Sequence, residues 1–152
     1  MSDRHDCSYG RSSRVDLDGV AARPVASLIH SRVSKTINGT TTQFVYDGLN
    51  PVQELNGASP PVATANMLTG LGIDEYFQRV DSNGALSYLT DMLGSTLALA
   101  DSSGNLNTSY TYEPFGNTTI SGSSGNPYQF TGRENDGTGL YYYRARYYSP
   151  TL

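Results

Sequence analysis

The sequence contains no tryptophan, one cysteine and two histidines, and only 16% of its 152 residues are charged. Each shortage excludes something. A lone cysteine, Cys7, cannot form an internal disulfide. It sits beside His5 in 4-RHDC-7, and with His30 as the one other imidazole these are too few ligands for a closed zinc site. No metal and no cofactor is expected. Serines are plentiful, but there is no GxSxG elbow, and neither histidine lies beyond residue 30 to serve as a base. No apolar run approaches the roughly 20 residues that cross a bilayer as a helix. The most apolar early stretch, 20-VAARPVASLI-29, carries Arg23 and Pro24 and makes a poor signal peptide. A net charge of −4 lacks the basic face that a general nucleic-acid binder needs to replace phosphate counterions.

What is present points to β structure. Sixteen glycines, twelve tyrosines and many Ser, Thr and Asn residues favour short strands joined by tight turns. Residues 1–31 show no sustained periodicity and read as weakly ordered, with 22-ARPVASLIHSR-32 as the one stretch able to form a short helix or strand. From Val33 the pattern becomes strand and turn. Asn38-Gly39 between 33-VSKTI-37 and 40-TTTQFVYD-47 predicts a two-residue hairpin, because both residues tolerate the positive φ of a type I′ turn. Residues 76–80 and 85–89 predict a second hairpin around 81-DSNG-84. Residues 96–100 and 106–112 predict a third around 101-DSSGN-105.

The hairpins carry a repeat. In 46-YDGLN-50, 68-LTGLG-72, 90-TDMLG-94 and 112-YEPFG-116, the residues Leu49, Leu71, Leu93 and Phe115 stand 22 positions apart, each followed by Asn or Gly. The expected unit has two strands and two turns. Its apolar residue plugs inward, and its Gly or Asn takes a bend that other residues resist. Such units cannot bury an apolar face alone and stack on their neighbours.

These motifs resemble a known family. 46-YDGLN-50 and its spaced copies are similar to the tyrosine–aspartate (YD) repeats of the RHS family. The runs 88-YLTDMLGSTLALADSSGNLNTSYTYEPFGN-117 and 130-FTGRENDGTGLYYYRARYYSP-150 resemble the RHS-repeat-associated core signature. The resemblance covers about residues 32–152, with YD-type repeats over 32–117 and the core signature region over 118–152; residues 1–31 do not match. Its signature positions are Tyr46, Asp47, Leu49, Asp91, Leu93, Gly94, Tyr112, Pro114, Phe115, Gly116, Gly132, Arg133, Gly139, Leu140, Tyr141, Tyr142, Tyr143, Arg144, Arg146, Tyr147 and Tyr148.

The resemblance implies an all-β fold of antiparallel hairpins in a repeat array, part of a β-sheet that spirals into a hollow shell around a C-terminal toxin domain. The implied partners are neighbouring RHS repeats or that enclosed toxin, and the implied location is secreted or cell-surface. In the family a self-cleavage site follows the signature. The chain ends at Leu152, before any position matching the family's catalytic aspartates, so no catalytic residue is carried over.

Within the signature, 141-YYYRARYY-148 reads as one strand. Tyr141, Tyr143, Ala145 and Tyr147 would share one face, and Tyr142, Arg144, Arg146 and Tyr148 the other. The favoured function is a structural shell segment with no activity of its own. The alternative is a cell-surface or carbohydrate-binding β-repeat module. An enzyme would need an acid pair or nucleophile that the sequence does not offer. Asp74 and Glu75 are adjacent, face opposite ways on a strand and read as solvated, while Arg133 and Glu134 read as structurally paired. So few units cannot close a shell, so open sheet edges and an uncovered apolar face should make the chain marginally stable and prone to self-association.

Overall fold

The computed structural model describes residues 31–151. The expectations placed on residues 1–30, among them the Cys7–His5 pair and the order of the first segment, lie outside the described residues.

Nine strands pair antiparallel in chain order: β1 (Ser34–Ile37), β2 (Thr40–Asp47), β3 (Asn50–Asn56), β4 (Ala63–Thr69), β5 (Tyr76–Asp81), β6 (Gly84–Thr90), β7 (Thr96–Ala100), β8 (Leu106–Tyr112) and β9 (Thr118–Gly122). The all-β array of hairpins is thus as expected. The Asn38-Gly39 turn has φ of 49° and 79° at its two residues, the type I′ pattern that Ile37↔Thr40 pairing requires. The other two hairpins also form where the turn residues place them, as β5–β6 and β7–β8.

Two further regularities emerge. A register shift recurs at Val45/Tyr46, Leu68/Thr69 and Leu89/Thr90, so in each of these three strand pairs the strand after the loop carries one extra residue, Val52, Phe77 or Leu97. The loops after Thr90, Ala100 and Tyr112 share one hydrogen-bond plan. The N–H of Asp91, Asp101 or Glu113 donates to the carbonyl four residues on, and Gly94, Gly104 or Gly116 donates back to that acid's carbonyl.

Directly opposed residues share a face, and one face is the buried one. Phe44, Glu54 and Ala65 form one row across it, Met67, Arg79 and Leu86 a second, and Tyr88, Leu99 and Thr108 a third. The core cluster on this face is Ala65, Met67, Tyr76, Leu86, Tyr88, Leu99, Tyr110 and Tyr128. The opposite face leaves Val45, Leu68, Val80 and Leu89 largely exposed.

After β9 the chain turns back across the buried face. It forms a short 3-10 turn (Phe130–Gly132) and a small sheet of β10 (Glu134–Asn135), β11 (Tyr141–Tyr142) and β12 (Tyr147–Tyr148). The tyrosine strip is therefore a hairpin and not the single strand expected from its alternation. Arg144 takes φ +58° and the Tyr143 N–H donates to the Arg146 carbonyl, so the strip reverses and sets Tyr141 opposite Tyr148 and Tyr142 opposite Tyr147.

The repeat residues also differ from expectation. Leu49, Leu71, Leu93 and Phe115 do not plug inward: Leu71 is fully exposed, Leu93 70%, Phe115 71% and Leu49 38%. The 22-residue period marks the loops β2–β3, β4–β5, β6–β7 and β8–β9, which a meander places at one end of the sheet. Gly94 and Gly116 take the positive φ expected of them, 79° and 87°, whereas Gly72 does not and Asn50 is a buried strand residue.

Candidate functional site: the clasp between sheet and C-terminal cap

Residues 126–148 form a cap, and its contacts with the sheet concentrate the molecule's buried polar chemistry. The apolar anchor is Tyr128, 1% exposed and stacked on Tyr76 with ring centroids 4.4 Å apart. Burying a ring of this size contributes about 2 kcal/mol, offset in part by the Tyr128 hydroxyl, which is buried with no hydrogen-bond partner among the described residues. Around it the backbone groups find partners. The Thr96 N–H donates to the Gln129 carbonyl at 3.1 Å, and the Thr96 hydroxyl to the Tyr128 carbonyl at 2.8 Å. The Tyr88 hydroxyl donates to Asn126 Oδ1 at 2.7 Å.

Three charged clusters flank this anchor. In the first, Arg32 donates to Asp136 through two contacts of 2.7 Å, meets Glu134 at 2.6 Å and lies 4.2 Å over the Tyr142 ring. Lys35 adds contacts of 2.6 Å to Glu134 and 3.2 Å to Asp136. Burial would lower the Arg32 pKa, but the two carboxylates outweigh it and hold the guanidinium charged. Burial dominates at Glu134, whose pKa is raised despite Lys35 and Arg32. In the second cluster, Asp74 sits between Arg133 at 3.0 Å and Arg144 at 2.9 Å, and burial again raises the carboxyl against both cations. The third lies within the sheet, where Arg79 joins Glu54 at 2.8 Å and Asp81 at 2.7 Å.

Asp74 is thus not solvated as its sequence context suggested: the left-handed backbone at this residue (φ +59°) accompanies a side chain held in the clasp. Arg133 and Glu134 are both structurally paired, but not with each other. A small cavity of about 20 Å³, room for about one water, lies between these groups and is lined by Tyr46, Asp74, Tyr128, Glu134, Tyr142 and Arg144 among others.

Several signature positions meet here. Tyr46 donates its hydroxyl to the Arg32 carbonyl at 3.2 Å. Gly132 closes over the Asp74 backbone, where a Cβ would stand 2.9 Å from the Asp74 carbonyl oxygen. Tyr141 bonds Thr118, Tyr143 bonds the Thr131 hydroxyl at 2.7 Å beneath Arg133, and Tyr148 donates to the Phe115 carbonyl at 2.8 Å. The Tyr112 hydroxyl donates to the Thr96 carbonyl at 2.5 Å, and the Phe130 ring covers Gly116.

Others lie elsewhere. Asp91 caps its own loop by accepting the N–H groups of Leu93 and Ser95, each at 2.8 Å. Asp47, Leu49, Leu93, Pro114, Phe115, Gly139, Arg146 and Tyr147 are exposed, while Gly94 and Leu140 are half-buried. Sequence reading missed Arg32, Lys35, Asp136 and Glu54. No local signal marks them, because Arg32 and Asp136 are 104 positions apart.

The carboxylates of all three clusters are tied to cations, which suits holding and not proton transfer. Among the described residues no group of three or more His, Cys, Asp and Glu is placed to hold a metal, and no helix is long and apolar enough to cross a membrane.

In fold the chain is similar to a solved structure, that of TcdB2-TccC3-TEV, with TM-score 0.55 and 21% identity over 77% of this chain and 6% of that one. The two share a fold. The TcdB2-TccC3-Cdc42 crystal structure matches at TM-score 0.50 and 20% identity, over 76% of this chain and 8% of that one. In sequence, the chain is 33% identical over 127 residues to the tRNA3(Ser)-specific nuclease WapA of Bacillus spizizenii, covering 79% of this chain and 5% of that protein. It is 31% identical over 135 residues to the tRNA nuclease WapA of Bacillus subtilis, with the same coverage. A match to the toxin subunit YenC1 of Yersinia entomophaga is 37% identical over 76 residues, 45% of this chain and 8% of that subunit. No family model matches. The chain therefore spans about a twentieth of the nucleases' length, and the similarity runs to one segment of much larger proteins.

Proposed function

We propose that this chain is a structural segment of an RHS/YD-repeat shell, the part where repeats (32–117) meet the core signature region (118–152), with no catalytic activity of its own. In this reading the parent is a secreted or cell-surface protein, and its shell encloses and delivers a C-terminal toxin domain. The signature residues act as architecture: loop formers at Asp91, Gly94 and Gly116, and cap anchors at Gly132, Arg133, Tyr141, Arg144 and Tyr148.

One observation carries the proposal. Leu49, Leu71, Leu93 and Phe115 stand in successive loops at one end of the sheet, two strands or about 10 Å apart, and all but the part-covered Leu49 are at least 70% exposed. A periodic row of exposed apolar tips is a surface that neighbouring repeats cover. The similarity to segments of WapA and of a toxin subunit supports the same reading.

The test uses Met92, fully exposed beside Leu93. Hydroxyl-radical footprinting of the isolated chain should oxidise Met92 and Phe115 readily. In the native parent, isolated from its source and detected by antibody to this region, both should be protected severalfold. Equal reactivity in the two samples, or a native product that exists only as the free chain, overturns the proposal.

A further inference from the structure

The two edges of the nine-stranded sheet are not equivalent. At β1 the edge strand is held to the cap, because Lys35 reaches Glu134 and Asp136 across the buried face. At β9 the chain leaves the sheet and doubles back over the buried face, so the strands that follow, β10 to β12, form a separate sheet. β9 hydrogen-bonds β8 alone, and nothing later in the described chain continues the sheet beyond it.

This edge lacks the devices that usually blunt one. From Asn117 to Gly125 there is neither a charge nor a proline, and residues 119–122 are exposed. Ile120 stands opposite the buried Tyr110 yet is itself 47% exposed. The strand thus offers a free backbone ladder and an apolar centre together.

We propose that β9 is a self-pairing edge that joins two copies of this chain through an antiparallel β9–β9 contact centred on Ile120. The reading concerns the chain itself and stands apart from the shell proposal. In that register Thr118 of one copy meets Gly122 of the other, Thr119 meets Ser121, and Ile120 meets Ile120. Every pair is uncharged, so the two-fold arrangement sets no like charges against each other. The contact is a five-residue strand on each side, far below a standard interface, so we expect a dissociation constant on the order of 0.1 mM.

Sedimentation velocity of the full chain across a range reaching about 0.5 mM should show a monomer–dimer equilibrium that stops at the dimer. Hydrogen exchange at residues 118–122 should slow as concentration rises. Ile120→Lys places a charge from each copy at the centre and should weaken the dimer at least about tenfold. Leu68→Lys on the exposed face and Leu93→Lys at a loop tip should leave it unchanged, with circular dichroism confirming that all three variants fold. Three results overturn the proposal: a monomer throughout the range, a dimer insensitive to Ile120→Lys but lost on Leu68→Lys or Leu93→Lys, or growth beyond the dimer. None of these bears on the Met92 footprint, so the two readings fail separately.

Discussion

Replacing Arg32 by methionine removes a guanidinium while keeping much of its packing volume. The native group is 4% exposed, and the side chains of Glu134 and Asp136 that it holds are each 6% exposed. The variant leaves these two buried carboxylates to Lys35 alone. Removing one partner from a buried ion cluster costs about 3–5 kcal/mol, because the remaining charge stays desolvated. Lys35 retains part of the compensation, so we expect the lower end, about 3 kcal/mol. That is a large share of a typical stability of about 5–15 kcal/mol. Urea unfolding at pH 7, followed by circular dichroism and tyrosine fluorescence, measures it. Adding Glu134→Gln and Asp136→Asn to Arg32→Met should recover much of the loss, since neutral amides are cheaper to bury.

The same variant has a pH signature. Burial already holds Glu134 above its ordinary value of 4.5, and removing Arg32 raises it further. A carboxyl with a raised folded pKa contributes stability that is fully present below its unfolded value and is lost as pH rises through the folded value. The variant should therefore be most impaired near neutrality, and its gap from wild type should narrow as pH falls toward 4.5. A cost below about 1 kcal/mol at pH 7, the size expected of a surface pair, or a gap that does not change with pH, refutes the clasp as an energetic element.

Further expectations follow from other sites. Asn50 donates to the carbonyls of Gly70 at 3.2 Å and Gly72 at 2.6 Å and accepts from the Asp74 N–H at 2.7 Å; Asn50→Ala should cost about 2–3 kcal/mol in urea unfolding, whereas Thr119→Ala should stay within about 0.5 kcal/mol. Gly116→Ala combines φ +87° with a Cβ 2.4 Å from the Phe130 ring, and Gly48→Ala has φ +57° and open space; the first should lower the melting temperature clearly more than the second, whose cost is about 1 kcal/mol. At Asp81, burial acts to raise the pKa, but the Asn83 N–H and Arg79 outweigh it and hold the group below 3.8. Its stabilisation is present above that value and lost as pH falls through the folded one, so Asp81→Asn should flatten the acid limb of the stability–pH curve.

The hairpins were legible because their determinants are local. Asn38-Gly39, 81-DSNG-84 and 101-DSSGN-105 each specify a backbone reversal within a few residues, and an antiparallel meander needs no other instruction. β3 and β4 carried no such signal: Asn50–Asn56 contains Pro51, and Gly57-Ala58-Ser59-Pro60-Pro61 intervenes before Ala63. The tyrosine strip misled for the opposite reason. Its alternation is real, but the left-handed turn at Arg144 is stabilised by distant groups, Asp74 at 2.9 Å and the Leu49 carbonyl at 3.2 Å. The 22-residue period located a repeated feature correctly, yet period alone does not say whether a residue faces the core or the end of the sheet.

The contacts at the loop end show why the cap belongs where it is. Asn50, in one unit, fastens the loop of the next by bonding Gly70, Gly72 and Asp74. This is nearest-neighbour bracing between these two units. At the last unit of the described sheet, β8–β9, the cap supplies contacts of its own: Phe130 over Gly116, Tyr148 to the Phe115 carbonyl, and Tyr141 to Thr118. Meanwhile Arg133 and Arg144 reach back to Asp74, the residue that Asn50 already fixes. The cap therefore ties the end of the array to its middle, and through Arg32 and Lys35 to its start. A sheet built from local hairpins is thereby cross-linked over its buried face by contacts distant in sequence, while its loop tips and outer face remain exposed.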